Sequence, residues 1–258
     1  MRVGMPHLGN LYICIKAMAN RLNGDLIVPS LSNQRTLSLG VKYSPEGLCL
    51  PFKLMLGNLI EAAELGADTM IMVGGFGICR LGYYTKIQKQ ILHDLGYDVE
   101  LVQFGISENK LLGFLQSMKR LTSGEGWPSI ISAFRFGLAK LGAVDKIERV
   151  VQKVRAVEQV KGAANRLFTQ AIQAIDQADD YGTLKRAQRD YIAQLNQVPK
   201  DTQVQPLVVG MTGEFYVLLE PFSNLDVENE LGKLGVEVRR RTFVSEWVKY
   251  SLFLNPLG

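Results

Sequence analysis

The chain has 258 residues, three cysteines, two histidines and a formal net charge of +4. A hydrophobic share of 47% and a charged share of 21% suffice for a packed core in one large or two small domains. No run approaches the roughly 20 apolar residues of a membrane span, Met1–Pro6 has no secretory signal pattern, and the slight basic excess does not define a nucleic-acid face. A cytoplasmic protein with no membrane and no nucleic-acid partner is expected. An odd number of cysteines in a reducing compartment argues for free or metal-bound thiols rather than a disulfide framework.

The first third alternates short β-like runs with amphipathic helices. Arg2–Met5 reads as a strand and Leu8–Leu22 as a helix with Leu11, Ile15, Met18 and Leu22 on one stripe. Asp25–Val28 is a second strand closed by Pro29. Pro51 opens a helix that Gly66 ends. Thr69–Val73 reads as a buried strand, Gly82–Leu95 as a helix and Val99–Phe104 as a further strand. Strand and helix alternating over short links predict a parallel sheet with helices on its faces.

From Glu108 to Gln197 the strand signal disappears. Ile147, Val150, Val154, Val157, Ala164, Leu167, Ala171 and Ile175 recur near a helical period. A break at Asp179, Asp180 and Gly182 precedes a second helix with Leu184, Ile192 and Leu195, so a helical hairpin inserted in the α/β domain is predicted. Leu207–Val209, a helix around Asp226–Leu234 and a strand at Val236–Arg239 give one further β-α-β step. The expected fold is α/β: a Rossmann-like parallel sheet in residues 1–106, a helical insertion in 107–200 and the start of a smaller α/β unit in 201–258.

Cys49 and Cys79 carry the chemistry. Each stands where a strand is expected to hand over to a helix, the place where open α/β sheets bind ligands, and glycine or proline flanks both. A thiolate is electrostatically favoured at a helix N-terminus. The residues allow two readings: a metal site, or two free thiols in tight turns. No C-x-x-C spacing is present to decide between them.

Specific stretches surround these cysteines. Pro6-His7-Leu8-Gly9-Asn10-Leu11-Tyr12 opens the chain. Ser44-Pro45-Glu46, Cys49, Pro51, Lys53, Gly57-Asn58, Glu61-Ala62 and Gly66-Ala67-Asp68 follow. Gly74-Gly75, Gly77, Cys79-Arg80 and Gly82-Tyr83-Tyr84 form a third stretch, and Gly213-Glu214, Tyr216, Glu220-Pro221 and Asn224 a fourth. Together they resemble the 2-hydroxyacyl-CoA dehydratase superfamily, in its activase-related, CoA-protein-activase-like branch, with double-cubane cluster proteins as relatives. Two departures are Ile78, where proline is usual, and Leu81, where phenylalanine is frequent. The family's further cysteine motif in a second α/β half is also missing from this sequence, so the third segment is expected to be incomplete relative to the family.

The resemblance implies a cysteine-ligated iron–sulfur cluster, 4Fe-4S or larger, and low-potential electrons from an ATP-dependent activase of the actin/Hsp70-like fold. It implies a dehydratase- or reductase-like component, with Cys49 and Cys79 as ligands and a homodimer or second subunit completing the set. Cys14, mid-helix and off the apolar stripe, is either a third ligand or a small packing residue. Lys53 and Arg80 offset cluster charge, bind an anionic substrate or are ordinary surface residues. Gly77 lets the second loop approach a cluster, and Glu46 is an acid/base group or a cap for the helix at Pro51. His7 is a loop histidine or a crevice ligand. The Gly210–Glu214 turn is a weak phosphate cradle, and Arg239-Arg240-Arg241 is a strand edge with exposed arginines or a phosphate contact. A non-catalytic assembly subunit and a metal-free Rossmann-like binder are the alternative functions.

Overall fold

A computed structural model describes residues 1–73, 81–104, 116, 119, 121–122 and 124–249. The fold is mixed α/β. Its elements begin β1 (Arg2–Gly4), α1 (Leu11–Arg21), β2 (Asp25–Ile27), α2 (Gln34–Tyr43), α3 (Leu50–Glu64), β3 (Thr69–Val73), α4 (Leu81–Asp94) and β4 (Glu100–Phe104). They continue with α5 (Trp127–Val157), α6 (Ala163–Gln177), α7 (Tyr181–Gln197), β5 (Leu207–Met211), α8 (Phe215–Leu219), α9 (Val227–Lys233), β6 (Val236–Arg240) and α10 (Val244–Lys249). The first four strands form one parallel sheet in the order β2-β1-β3-β4, with Gly4 between Ile27 and Met70. β5 and β6 form a separate parallel pair.

Two compact units result. The first comprises residues 1–8, 18–134 and 247–258, and the second residues 9–17 and 135–246. In the first unit, α3 is buried almost throughout, from Pro51 to Ala63. It approaches β1 so closely that a Cβ on Gly4 would lie 2.7 Å from the Met70 sulfur and 2.9 Å from the Ala62 methyl. This position admits only glycine without displacing its neighbours.

Helix α2 is the main addition to the sequence reading, which left residues 29–44 unassigned. Its start is a capping box: the Asn33 side chain accepts from the Arg35 and Thr36 N–H groups, and Thr36 Oγ1 accepts from the Asn33 N–H. The signal is Asn-x-x-Thr rather than the commoner acidic form. Two glycines let α2 and α3 cross backbone to backbone. A Cβ on Gly40 would overlap the Lys53 carbonyl, and one on Gly57 would overlap the Thr36 carbonyl. Thr36 Oγ1 then donates to buried Glu61 at 2.9 Å, and Arg35 bridges Glu61 and Glu64 at 3.3 and 2.6 Å.

In the second unit, Ile147, Val151, Val154, Ala171, Ile175, Leu184 and Leu195 form one apolar core with Ile13 and Ala17. Among the described residues the helical region has three named helices rather than two. α5 ends at Val157, and Glu158 folds back to accept from the Gly162 and Ala164 N–H groups at 2.6 and 2.7 Å. A left-handed Gly162 at φ 87° starts α6. The Asp180 capping box starts α7, at the break read in sequence from Asp179-Asp180.

Candidate functional site

Cys49 is the N-cap of α3. Its extended backbone, φ −71° and ψ 163°, turns the chain from residues 44–48 into the helix, and Pro51 falls in the first turn, where its missing N–H costs no hydrogen bond. The thiol is exposed and makes no capping hydrogen bond. One expectation is corrected: Cys49 follows α2, not a strand, so its loop joins two helices. Leu37, Leu39 and Val41 lie on α2, which the Asn33 capping box starts.

The thiol meets α4. Cys49 Sγ lies 2.6 Å from the Tyr84 hydroxyl, and the Tyr84 ring packs edge-on against Phe52 with centroids 4.9 Å apart. Tyr84 is buried, whereas Tyr83 is 75% exposed, so the Tyr-Tyr pair divides between packing and solvent. The N-terminus of α3 and the first turn of α4 therefore come together.

Glu46 is exposed and does not cap α3: the cap is Cys49 itself. Its main-chain carbonyl accepts from Lys53 Nζ at 3.4 Å, which draws the Lys53 ammonium toward the Cys49 loop. Gly77, Cys79 and Arg80 lie outside the described residues. Among the described residues no group of three His, Cys, Asp or Glu side chains is arranged to hold a metal ion.

Cys14 belongs to the second unit and is 3% exposed. Burial pushes its thiol up to about 12, against the smaller opposing effect of Lys140. The sequence stripe placed Cys14 off the apolar face. The helix is instead buried on a wider arc, because Ile13 and Ala17 also enter a core. His7 is a buried loop histidine whose Nε2 lies 2.8 Å from the Pro29 carbonyl, and burial lowers its imidazole below the ordinary value.

The later motif has a structural use. The Gly9 N–H donates to Glu220 at 3.1 Å, and at φ 50° a Gly9 Cβ would lie 2.7 Å from the Leu219 carbonyl. Asn224 Nδ2 donates to the Val217 carbonyl at 2.7 Å. The Gly210–Glu214 turn is shorter than expected, since β5 runs to Met211 and the Glu214 side chain caps α8 by accepting from Val217.

Of the three arginines read as an exposed strand edge or a phosphate contact, Arg239 and Arg241 are exposed, whereas Arg240 is not. It is 7% exposed, donates to Glu148 at 2.7 Å and faces Glu228 at 3.0 Å without hydrogen-bond alignment. Glu148 also accepts from Asn10 at 3.0 Å. Burial holds its carboxyl up to about 7, although Arg240 pulls it down. This buried charge cluster was missed because Asn10, Glu148, Glu228 and Arg240 are far apart in the chain.

No family model, curated protein or solved structure matches the chain. Among the described residues no helix is long and apolar enough to cross a membrane.

Proposed function

We propose that the chain is an iron–sulfur protein of the 2-hydroxyacyl-CoA dehydratase type, receiving low-potential electrons from an ATP-dependent activase of the actin/Hsp70-like fold. The observation that carries this reading is the exposed Cys49 thiol at the N-cap of α3, held against the first turn of α4. Cys79 stands two residues before that helix in the sequence. Cys49 suits a ligand role, since it is exposed at the N-cap of α3 and makes no capping hydrogen bond. Cys14 does not, since burial disfavours its ionised form, and it is left out of the ligand set. A bound cluster would supply one-electron chemistry at low potential. Lys53, drawn toward the loop through the Glu46 carbonyl, would offset negative charge there. Cys49 and Cys79 alone are too few for a cubane, so a second copy or another subunit would complete the ligands.

The test is iron and acid-labile sulfide content with the visible spectrum, after strictly anaerobic purification and reconstitution. Wild type is compared with Cys49→Ser, Cys79→Ser and Cys14→Ser. Loss of iron and sulfide in the first two, with retention in the third, is expected. Wild type that stays colourless with iron and sulfide supplied overturns the reading.

A further inference from the structure

The inner face of α4 carries polar groups without partners. Tyr84, Thr85, Gln88 and Leu92 are buried there. Gln88 is 0% exposed, and neither its Nε2 nor its Oε1 has a hydrogen-bond partner. Thr85 is 8% exposed, and its Oγ1 is likewise unpartnered. Buried side-chain amides are almost always satisfied, and an amide missing both its donor and its acceptor bonds is a rarer case than a single orphan.

The three polar residues lie along one line. Tyr84 and Gln88 are four residues apart and Thr85 and Gln88 three, so all lie on neighbouring ridges of one helix face. Tyr84 reaches the exposed Cys49 sulfur, and Gln88 lies about 6 Å further along the helix axis. Tyr84 therefore joins the exposed Cys49 to the helix face on which Gln88 is buried. Every charged side chain of α4 (Lys86, Lys89, His93 and Asp94) is on the exposed face, so the inner face carries no formal charge.

We infer that Thr85 and Gln88 form a seat for an uncharged ligand group that offers a donor and an acceptor together, a carboxamide, entering past Cys49 and Tyr84. A carboxamide pairs with the Gln88 amide through two hydrogen bonds, and Thr85 is able to give or take a third. A carboxylate is disfavoured, because it would leave the Gln88 carbonyl facing a negative charge in a dry site. The seat needs no metal, so it stands or falls apart from the iron hypothesis.

The experiment titrates the full chain, metal-free, with acetamide and N-methylacetamide, and with acetate as the charged control. It follows the backbone amide resonances of Tyr84–Leu92 in α4 by NMR, which wild type and every variant share. A saturable shift with the two amides is expected, weakened about tenfold or more in Gln88→Leu and in Thr85→Val, since each variant removes a hydrogen-bond partner. Gln88→Leu is expected to keep or raise the melting temperature, because it removes an unsatisfied buried amide. Gln88→Met serves if the branched side chain does not fit. No saturable shift with either amide, or equal binding by acetate, overturns the inference. So does a loss of stability in both Gln88 variants, which would mean that Gln88 is satisfied within the fold.

Discussion

Gly40→Ala tests how the loop that presents Cys49 is held. An alanine in an exposed helix interior is ordinarily about 1 kcal/mol better than glycine. At Gly40, however, the added methyl would meet the Lys53 carbonyl, main chain of α3 that cannot swing aside. The helices must separate, and overpacking of this kind costs about 1–3 kcal/mol or more. Because the obstruction is backbone, the upper end applies, and a net loss of about 2 kcal/mol is expected after the propensity gain. For chains of this size that corresponds to roughly 4–8 °C in melting temperature. Gly142→Ala is the control: its Cβ would meet nothing within 4 Å, and it lies within α5. It should gain up to about 1 kcal/mol from propensity alone. Both variants are compared by circular dichroism melts. A Gly40→Ala melt equal to or above wild type would refute the backbone crossing of α2 and α3.

Glu148→Gln should flatten the pH dependence of stability. The folded carboxyl is raised from 4.5 to about 7, so its contribution is full below pH 4.5 and lost as pH rises through 7. The loss is about 3 kcal/mol at most, and melts at pH 5 and pH 8 should differ less in the variant than in wild type. Glu158→Gln puts an amide against two N–H donors and should cost about 1–3 kcal/mol by urea unfolding; an unchanged midpoint would show that the turn into α6 needs no carboxylate. Asp180→Ala removes the α7 cap and should cost about 1 kcal/mol, measured in the same way. Peptide mapping after brief iodoacetamide treatment should find Cys49 labelled in the native chain and Cys14 labelled only after unfolding, following their exposure. Native labelling of Cys14 would contradict its burial.

Hydrophobic periodicity served best where an element has one buried face and a clear stop. Thr69–Val73 was placed to the residue, and the helices begun at Pro51 and ended near Gly66 and Gly96 were placed within a residue or two. Local patterns could not reveal features set by distant residues. α2 has only two fully buried residues, Thr36 and Gly40, so its burial has almost no apolar signature. Arg240 looked like an exposed charge because its partners Glu148 and Glu228 are not its sequence neighbours. The split of the helical region into three depended on Glu158, whose carboxylate substitutes for a serine or aspartate cap. At the candidate site, the exposed cysteine at a helix start was legible from proline spacing, whereas the unpartnered amide of Gln88 is visible only in three dimensions.

The β5–β6 pair bears on handling of the protein. Leu207 is 69% exposed and Val208 44%, and within its two-strand sheet β5 has one edge without a described partner strand. Gly210 interrupts the run, but no lysine, proline or inward charge lies within Leu207–Met211 to discourage strand-to-strand contact. Colloidal stability should therefore be limited at this strand, and concentration-dependent light scattering should fall when Val208 is replaced by lysine.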